Sequence, residues 1–365
     1  MAVKKQTDIS PAADASLPNG FGKRGLTALA VAAVVALVYG GYWSLLAAQV
    51  RTGVEQWFAE RTLQGLEAGY AFLRVGGFPF RLVAVIEAPR LAAPHGLKPW
   101  SWKGPALVLK ARPWRLTRVR LSAPGRHHFT VTQRGGPAAF TLEAGKLELK
   151  LKHRGEGTGR ATLSVREVTL RDASEKTVAG VAAADFIVER PGRADDGGPG
   201  RTAPALDFMA QAEGVSYSAA PVRGLGRTTA RLVARVSVTG QANDAPEAMA
   251  RWRDSGGTLE VKRFTLNHGP LALEGDGTLA IDNRMRPIGA FTLRVKGFEE
   301  ALDRLAGAGV IKPHPAALAK TVMKALARKQ GMPGAEELKV PLSLQDGWLY
   351  VGPVALAKLP PIRWP

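Results

Sequence analysis

Apolar and polar positions change rhythm twice along the chain. From Gly25 to Val50 no residue is charged, and Leu26–Leu46 reads LTALAVAAVVALVYGGYWSLL. A helix of about 20 such residues crosses the hydrocarbon core of a bilayer. Ser44–Gly69 stays helix-like, with Val54, Trp57, Phe58 and Leu66 set among charges. From about Arg74 the period becomes two. In Lys146–Lys152, Leu147, Leu149 and Leu151 alternate with Lys146, Glu148, Lys150 and Lys152. Val119 and Leu121 oppose Arg118 and Arg120, and Ala161, Leu163 and Val165 alternate with Thr162, Ser164 and Arg166. Leu259–Lys262, Leu271–Glu274, Thr278–Ile281 and Phe291–Lys296 repeat the pattern. Alternation gives each strand one apolar and one polar face, the signature of antiparallel sheet with a solvated side. If the apolar face is buried, a carboxylate in place of Leu149 costs several kcal/mol.

Turns and helices fill the gaps. Gly275-Asp276-Gly277, Asp282-Asn283 and Gly256-Gly257 supply hairpin turns. Ala245–Asp254, Phe298–Ala308 and Pro315–Gln330 read as short helices. In the last, Leu318, Val322, Ala325 and Leu326 make an apolar stripe, and Lys320, Lys324 and Arg328 a basic row at i, i+4, i+8. One reading makes this a helix capping the sheet; the sharper one lays it on anionic lipid, with Lys320, Lys324 and Arg328 at the head groups. The fold class expected is mainly β: one or more large curved antiparallel sheets with a few short helices, preceded by one N-terminal transmembrane helix.

Charge orients that helix. Lys23 and Arg24 directly precede it, Lys4 and Lys5 lie upstream, and Asp8 and Asp14 oppose them. The positive-inside rule puts this tail in the cytoplasm, and Tyr39, Tyr42 and Trp43 fall at the far interface. A signal peptidase site needs small residues at both recognition positions. Around Leu45-Leu46-Ala47-Ala48 the outer position is Leu at each candidate site, so the segment is read as an uncleaved anchor, with Leu26, Val34, Leu37, Tyr42 and Trp43 among its lipid-facing residues. Residues 1–24 are then a cytoplasmic tail, 25–50 a single-pass signal anchor of the inner membrane, and 51–365 a periplasmic β-rich domain. Arg190–Pro204 (RPGRADDGGPGRTAP) reads as a linker or long loop between possible halves 75–190 and 205–365.

The chain carries Lys+Arg 50 against Asp+Glu 31, a net +19. Positions 1–50 hold four basic and two acidic residues, so 46 against 29, or +17, remain beyond the anchor. Anionic lipid is the compatible partner. Nucleic acid is not expected, because the basic residues are spread over polar strand faces without interleaved aromatics. Enzyme chemistry is not expected either. There is no cysteine, no HExxH pair among the six histidines, and no nucleophile elbow or phosphate loop. His127 and His128 are adjacent on an expected strand, so their rings point to opposite faces. Gly275–Ala280 matches GxGxxA but continues as strand where the dinucleotide fingerprint needs a helix. No metal or other cofactor is expected.

Several strings carry a likeness: Gly77-Phe78-Pro79-Phe80-Arg81, Pro113-Trp114 followed by Val119–Gly125, Gly269-Pro270-Leu271 with Arg286-Pro287, and Asp346–Pro353. They resemble the uncharacterised proteobacterial domain-of-unknown-function family numbered 2125, over roughly residues 50–360. More loosely, the repeated strands and the closing D-G-x-L-x-x-G-P look like AsmA-like envelope proteins. That likeness implies an inner-membrane anchor, a β-rich periplasmic part and a role in phospholipid transport or outer-membrane homeostasis. No functional residue carries over. Read physically, Pro79 and Pro113 are strand-edge or turn residues, Gly269-Pro270 and Gly352-Pro353 are turns, and Phe78, Phe80 and Trp114 belong to the core.

The expected function is non-enzymatic cell-envelope maintenance, by binding phospholipid or an acyl chain in an apolar β concavity. The alternatives are a scaffolding protein that binds an envelope protein partner and, behind it, a hydrolase without a recognisable motif.

Overall fold

The computed structural model describes residues 23–95, 99–133, 136–155, 158–191, 206–219, 224–240, 248–329, 337–352 and 354–362. A single helix, α1 (Lys23–Leu63), leads the chain, and its apolar part is long enough to cross a membrane. Short strands follow: β1 (Glu67–Gly69), β2 (Phe72–Gly76), β3 (Leu82–Glu87), β4 (Arg90–Ala93), β5 (Trp100–Lys103), β6 (Ala106–Arg112), β7 (Arg115–Ser122) and β8 (Gly125–Gln133). Then come the long ones, β9 (Gly136–Gly155), β10 (Thr158–Asp172), β11 (Thr177–Arg190), β12 (Leu206–Tyr217) and β13 (Thr228–Val238). The short helix α2 (Ala248–Asp254) precedes β14 (Leu259–His268), β15 (Leu271–Ile281) and β16 (Pro287–Lys296). Two further helices, α3 (Phe298–Gly307) and α4 (Pro313–Lys329), sit between β16 and β17 (Glu337–Gln345), and β18 (Trp348–Val351) and β19 (Val354–Lys358) close the chain.

All strands join one antiparallel sheet. From β9 to β19 each strand pairs with the next, including β11 with β12, so the ladder runs unbroken past the Arg190–Pro204 segment. Residues 192–205 of that segment lie outside the described residues. At its other end the sheet forks on β9. The first half of β9 pairs with β8, which continues through β5 and β4 to β1. The second half pairs with β7, which continues through β6 and β3 to β2.

Register aligns the apolar positions across the whole sheet. Ala84 faces Leu109, Leu109 faces Leu121, and Leu121 faces Leu149. The row continues through Leu163, Phe186, Ala210 and Ala234 to Phe264, then through Gly275 and Leu293 to Val340. Residues directly opposite share a face, so this is one continuous apolar face. Gly275-Asp276-Gly277, expected as a turn, lies inside β15 instead. Glycine is required there by close approach: a Cβ on Gly275 would meet the Thr292 carbonyl oxygen at 2.3 Å and the Leu293 side chain at 2.4 Å. The hairpin turn expected at Asp282-Asn283 is present between β15 and β16, whereas Gly256-Gly257 ends α2 and leads into β14 instead of closing a hairpin.

The face is covered at its ends. Leu82, Ala84 and Ile86 are buried near α1, which packs on β1–β3. At the far end α3 and α4 pack on β15 and β17, and Val295, Phe298, Leu338 and Val340 form a core flanked by Leu293, Leu302 and Met323. Between these ends, among the described residues, α2 seats its buried Trp252 against Thr239, just past the end of β13, and no second sheet packs on β9–β14, whose strands meet chiefly their ladder neighbours. Leu151 is 44% exposed and Phe186 45%.

Candidate functional site

The site is built where α1 meets the ends of the strands. Two turns stand side by side there, because Leu82 of β3 faces Ala111 of β6. The β2–β3 turn is Gly77–Arg81. Gly77 has φ 101°, and a Cβ would sit 2.8 Å from the Arg81 carbonyl oxygen, so the turn needs glycine. The β6–β7 turn holds Pro113 and Trp114. Three aromatic side chains of α1 tie the turns down. The Tyr39 hydroxyl donates to the Pro79 carbonyl oxygen, the Tyr42 hydroxyl to Pro113 at 2.9 Å, and the Trp43 Nε1–H to Arg81 at 3.1 Å. Phe78 packs against Tyr39 and Trp43, with ring centroids 6.1 and 5.6 Å away. The sequence placed Phe78, Phe80 and Trp114 in the core. They are instead 57%, 70% and 57% exposed, because they sit in turns that project past the sheet. Pro79 and Pro113 are turn residues as expected.

Beside these turns lies a cleft of about 690 Å³ whose charged lining is entirely basic. It includes Arg81, Lys110, Arg112, Arg115, Arg118, Arg120, Lys150, Lys152 and Arg160. Register concentrates the charge. Lys110 faces Arg120 and Arg120 faces Lys150, while Arg118 faces Lys152 and Lys152 faces Arg160. Like charges directly opposite are destabilising, and little offsets them. Buried Glu148 serves Arg120 at 3.3 Å, Lys150 at 3.2 Å and Lys146 at 3.4 Å. Burial pushes the Glu148 carboxyl up, but Lys150, Arg120 and Lys146 together hold it below its ordinary value. Glu189 reaches Arg160 at 3.2 Å. Arg81, Lys110, Arg112, Arg115, Arg118 and Lys152 face no acidic partner among the described residues. The apolar face begins at the same place, since Leu151 and Val119 also border the cleft.

Elsewhere on the polar face many basic residues have acids beside them, although Arg231 and Arg235, in a second cleft of about 500 Å³, make no ion pair among the described residues. Arg166 binds Asp185 at 2.8 Å, and Gln211 adds a hydrogen bond at 3.1 Å. The Arg166 hydrogen bond holds the Asp185 carboxyl down to about 2. At the far end Arg294 and Lys296 face Glu337.

The residues singled out from sequence are placed as follows. Leu26, Val34, Leu37 and Tyr42 are exposed along α1, and Trp43 is half-buried against the β2–β3 turn. Lys320 and Lys324 lie on α4 with acids of α3 beside them: Asp303 pairs with Lys320, and Glu299 with Lys324 at 2.9 Å. Arg328 falls in the last turns of α4, and its side chain lies outside the described residues. The cationic cleft was half legible. Arg118, Arg120, Lys150 and Lys152 read as outward strand positions, but only register brings the charges of four strands together, and Arg81, Arg112 and Arg115 are turn-flanking residues that no period marks. His127 is buried, with Nε2 3.1 Å from the Ala123 carbonyl oxygen and its ring stacked on Trp102, while His128 is exposed. Among the described residues no group of His, Asp and Glu is arranged to hold a metal ion.

These features define a class: an open single-sheet β protein led by an apolar helix. A family model matches residues 43–360. The chain belongs to that family, described as uncharacterized protein conserved in bacteria (DUF2125). No curated protein and no solved structure matches the chain, and the looser likeness to AsmA-like envelope proteins gains no support from these comparisons.

Proposed function

We propose that this is a single-pass inner-membrane protein whose sheet stands in the periplasm and carries a lipid acyl chain on its open apolar face. The observation that carries the reading is the uncovered face of β9–β14, which starts at Leu151 beside the turns held by the α1 aromatics. Apolar surface left in water is costly, at about 25 cal/mol per Å², and an unpartnered face of this size marks an interaction surface. Six strands at about 4.8 Å spacing make a track of about 24 Å. One leaflet's hydrocarbon is about 15 Å deep, so the track is long enough for one acyl chain. Burying a chain releases about 0.8 kcal/mol per CH₂. Lys23 and Arg24 support the N-in orientation. The protein acts without catalysis, in maintaining the cell envelope.

The test is lipid retention by the full chain. After purification in detergent and a high-salt wash, mass spectrometry is expected to find phospholipid near one per protein. Phe186→Glu and Phe208→Glu, at positions already exposed, are expected to remove it while thermal stability stays close to wild type. A folded, lipid-free wild-type protein would contradict the reading.

A further inference from the structure

We propose that the turns Gly77–Arg81 and Arg112–Arg115 form a bilayer-seated foot: Phe78, Phe80 and Trp114 enter the acyl region of the leaflet that α1 leaves, and Arg81, Arg112, Arg115 and Arg118 bind phosphates of its anionic phospholipids. The inference rests on α1 being a membrane anchor and adds where, and on which lipids, the sheet meets the membrane.

Depth is set by α1. A helix rises about 1.5 Å per residue, so Tyr39, Tyr42 and Trp43 lie about 20 to 26 Å beyond Leu26. The hydrocarbon core is about 30 Å thick, which puts these three rings in its outer margin, where Tyr and Trp collect. Their hydrogen bonds end on Pro79, Pro113 and Arg81, so both turns are held at that level. Phe78, Phe80 and Trp114 then have a reason to be exposed: at this depth their surroundings are lipid, not water. The guanidinium groups next to them, on Arg81, Arg112, Arg115 and Arg118, have no acidic partner among the described residues, and a planar guanidinium matches a phosphate bidentately. Exposed apolar rings next to guanidinium groups without acidic partners among the described residues suit an anionic leaflet, with its acyl chains inside and its phosphates outside. The apolar track opens at Leu151 beside them, so a lipid held by its phosphate here has its chain at the start of the sheet face.

The natural absence of cysteine makes single-site probes possible. Full-length Leu37→Cys, Phe80→Cys and Ala173→Cys, each carrying an environment-sensitive fluorophore, go into nanodiscs containing lipids brominated on their acyl chains. Quenching at 37 and 80 but not at 173, in the β10–β11 turn, is the expected result. Quenching at 37 alone overturns the foot while leaving the anchor in place. No quenching at 37 overturns both. A second arm uses native mass spectrometry of the full chain released from vesicles of equal phosphatidylglycerol and phosphatidylcholine. Wild type is expected to retain phosphatidylglycerol preferentially, and each single Arg→Gln change at 81, 112, 115 or 118 to cut that preference about fivefold. Lys324→Gln is expected to leave it unchanged. Equal retention of the two lipids, or an undiminished preference in the quadruple Gln variant, would overturn the assignment of these arginines to anionic phospholipid.

Discussion

The helix-capped end of the sheet and its foot share one strand pattern and one apolar row, yet they solve opposite problems. At the capped end Leu293 and Val340 continue the row under α3 and α4, and Leu338 is 1% exposed. The basic residues there have acids beside them: Lys320 with Asp303, Lys324 with Glu299, Lys296 with Glu337. At the foot the same face surfaces at Leu151, and six basic residues of the cleft have no acidic partner among the described residues. Alternation therefore states which residues share a face, and only the third dimension states whether that face is a core. A sheet whose strands meet mainly their neighbours is quasi-one-dimensional, and its middle draws order from long hydrogen-bonded ladders and polar-face pairs.

The largest expected contrast is between two leucines of the apolar face. Leu338→Ala removes a fully buried side chain and is expected to cost about 2–5 kcal/mol. Leu149→Ala, in the uncovered stretch, is expected to cost about 1 kcal/mol or less, and Leu149→Asp less than the several kcal/mol that alternation alone implied, because Leu149 is only partly buried. Urea titration of the full chain in detergent reads the difference. Equal costs would mean that the middle of the sheet is packed like its capped end.

A smaller effect tests what holds the open middle. Asp185 is depressed to about 2 from the ordinary 3.8 by its Arg166 hydrogen bond, so its contribution is present above about pH 4 and disappears as pH falls through 2. Asp185→Asn is expected to cost about 1–2 kcal/mol at neutral pH, and the gap from wild type should close between pH 4 and 2. A gap that persists at pH 2 would place the stabilisation elsewhere.

The smallest effect belongs to the balanced surface. Lys324→Ala breaks an exposed pair with Glu299 and is expected to change stability by no more than about 0.5 kcal/mol. A larger loss would make that pair part of the α3–α4 packing.

Much of the architecture was legible, because period and register are local. The apolar lead helix, the alternating strands and all three later helices fall close to where the pattern puts them, but the helix-like reading of Ser44–Gly69 runs too far, since α1 ends at Leu63 and Glu67–Gly69 is β1. Three things were not. Gly275 and Gly277 look like turn residues, but they are there for the closeness of β16, which is a property of the neighbouring strand. Phe78, Phe80 and Trp114 look like core residues, since hydrophobicity does not distinguish burial in the sheet from exposure in a projecting turn. The cationic cleft needs the fork on β9, which sets β7 of one branch beside the second half of β9; nothing short-range specifies that branch point.

The central claim is that the uncovered stretch between foot and cap holds an acyl chain, and photo-crosslinking tests it directly. Full-length protein in proteoliposomes is irradiated with a phospholipid carrying a diazirine on its acyl chain, and the adducts are mapped by peptide mass spectrometry. Adducts are expected on the apolar-face positions Leu149, Leu163, Phe186 and Phe208, as well as on α1, and they should disappear from β11 and β12 in Phe186→Glu. Adducts confined to α1, or spread equally over polar-face residues such as Lys150 and Gln211, would contradict it.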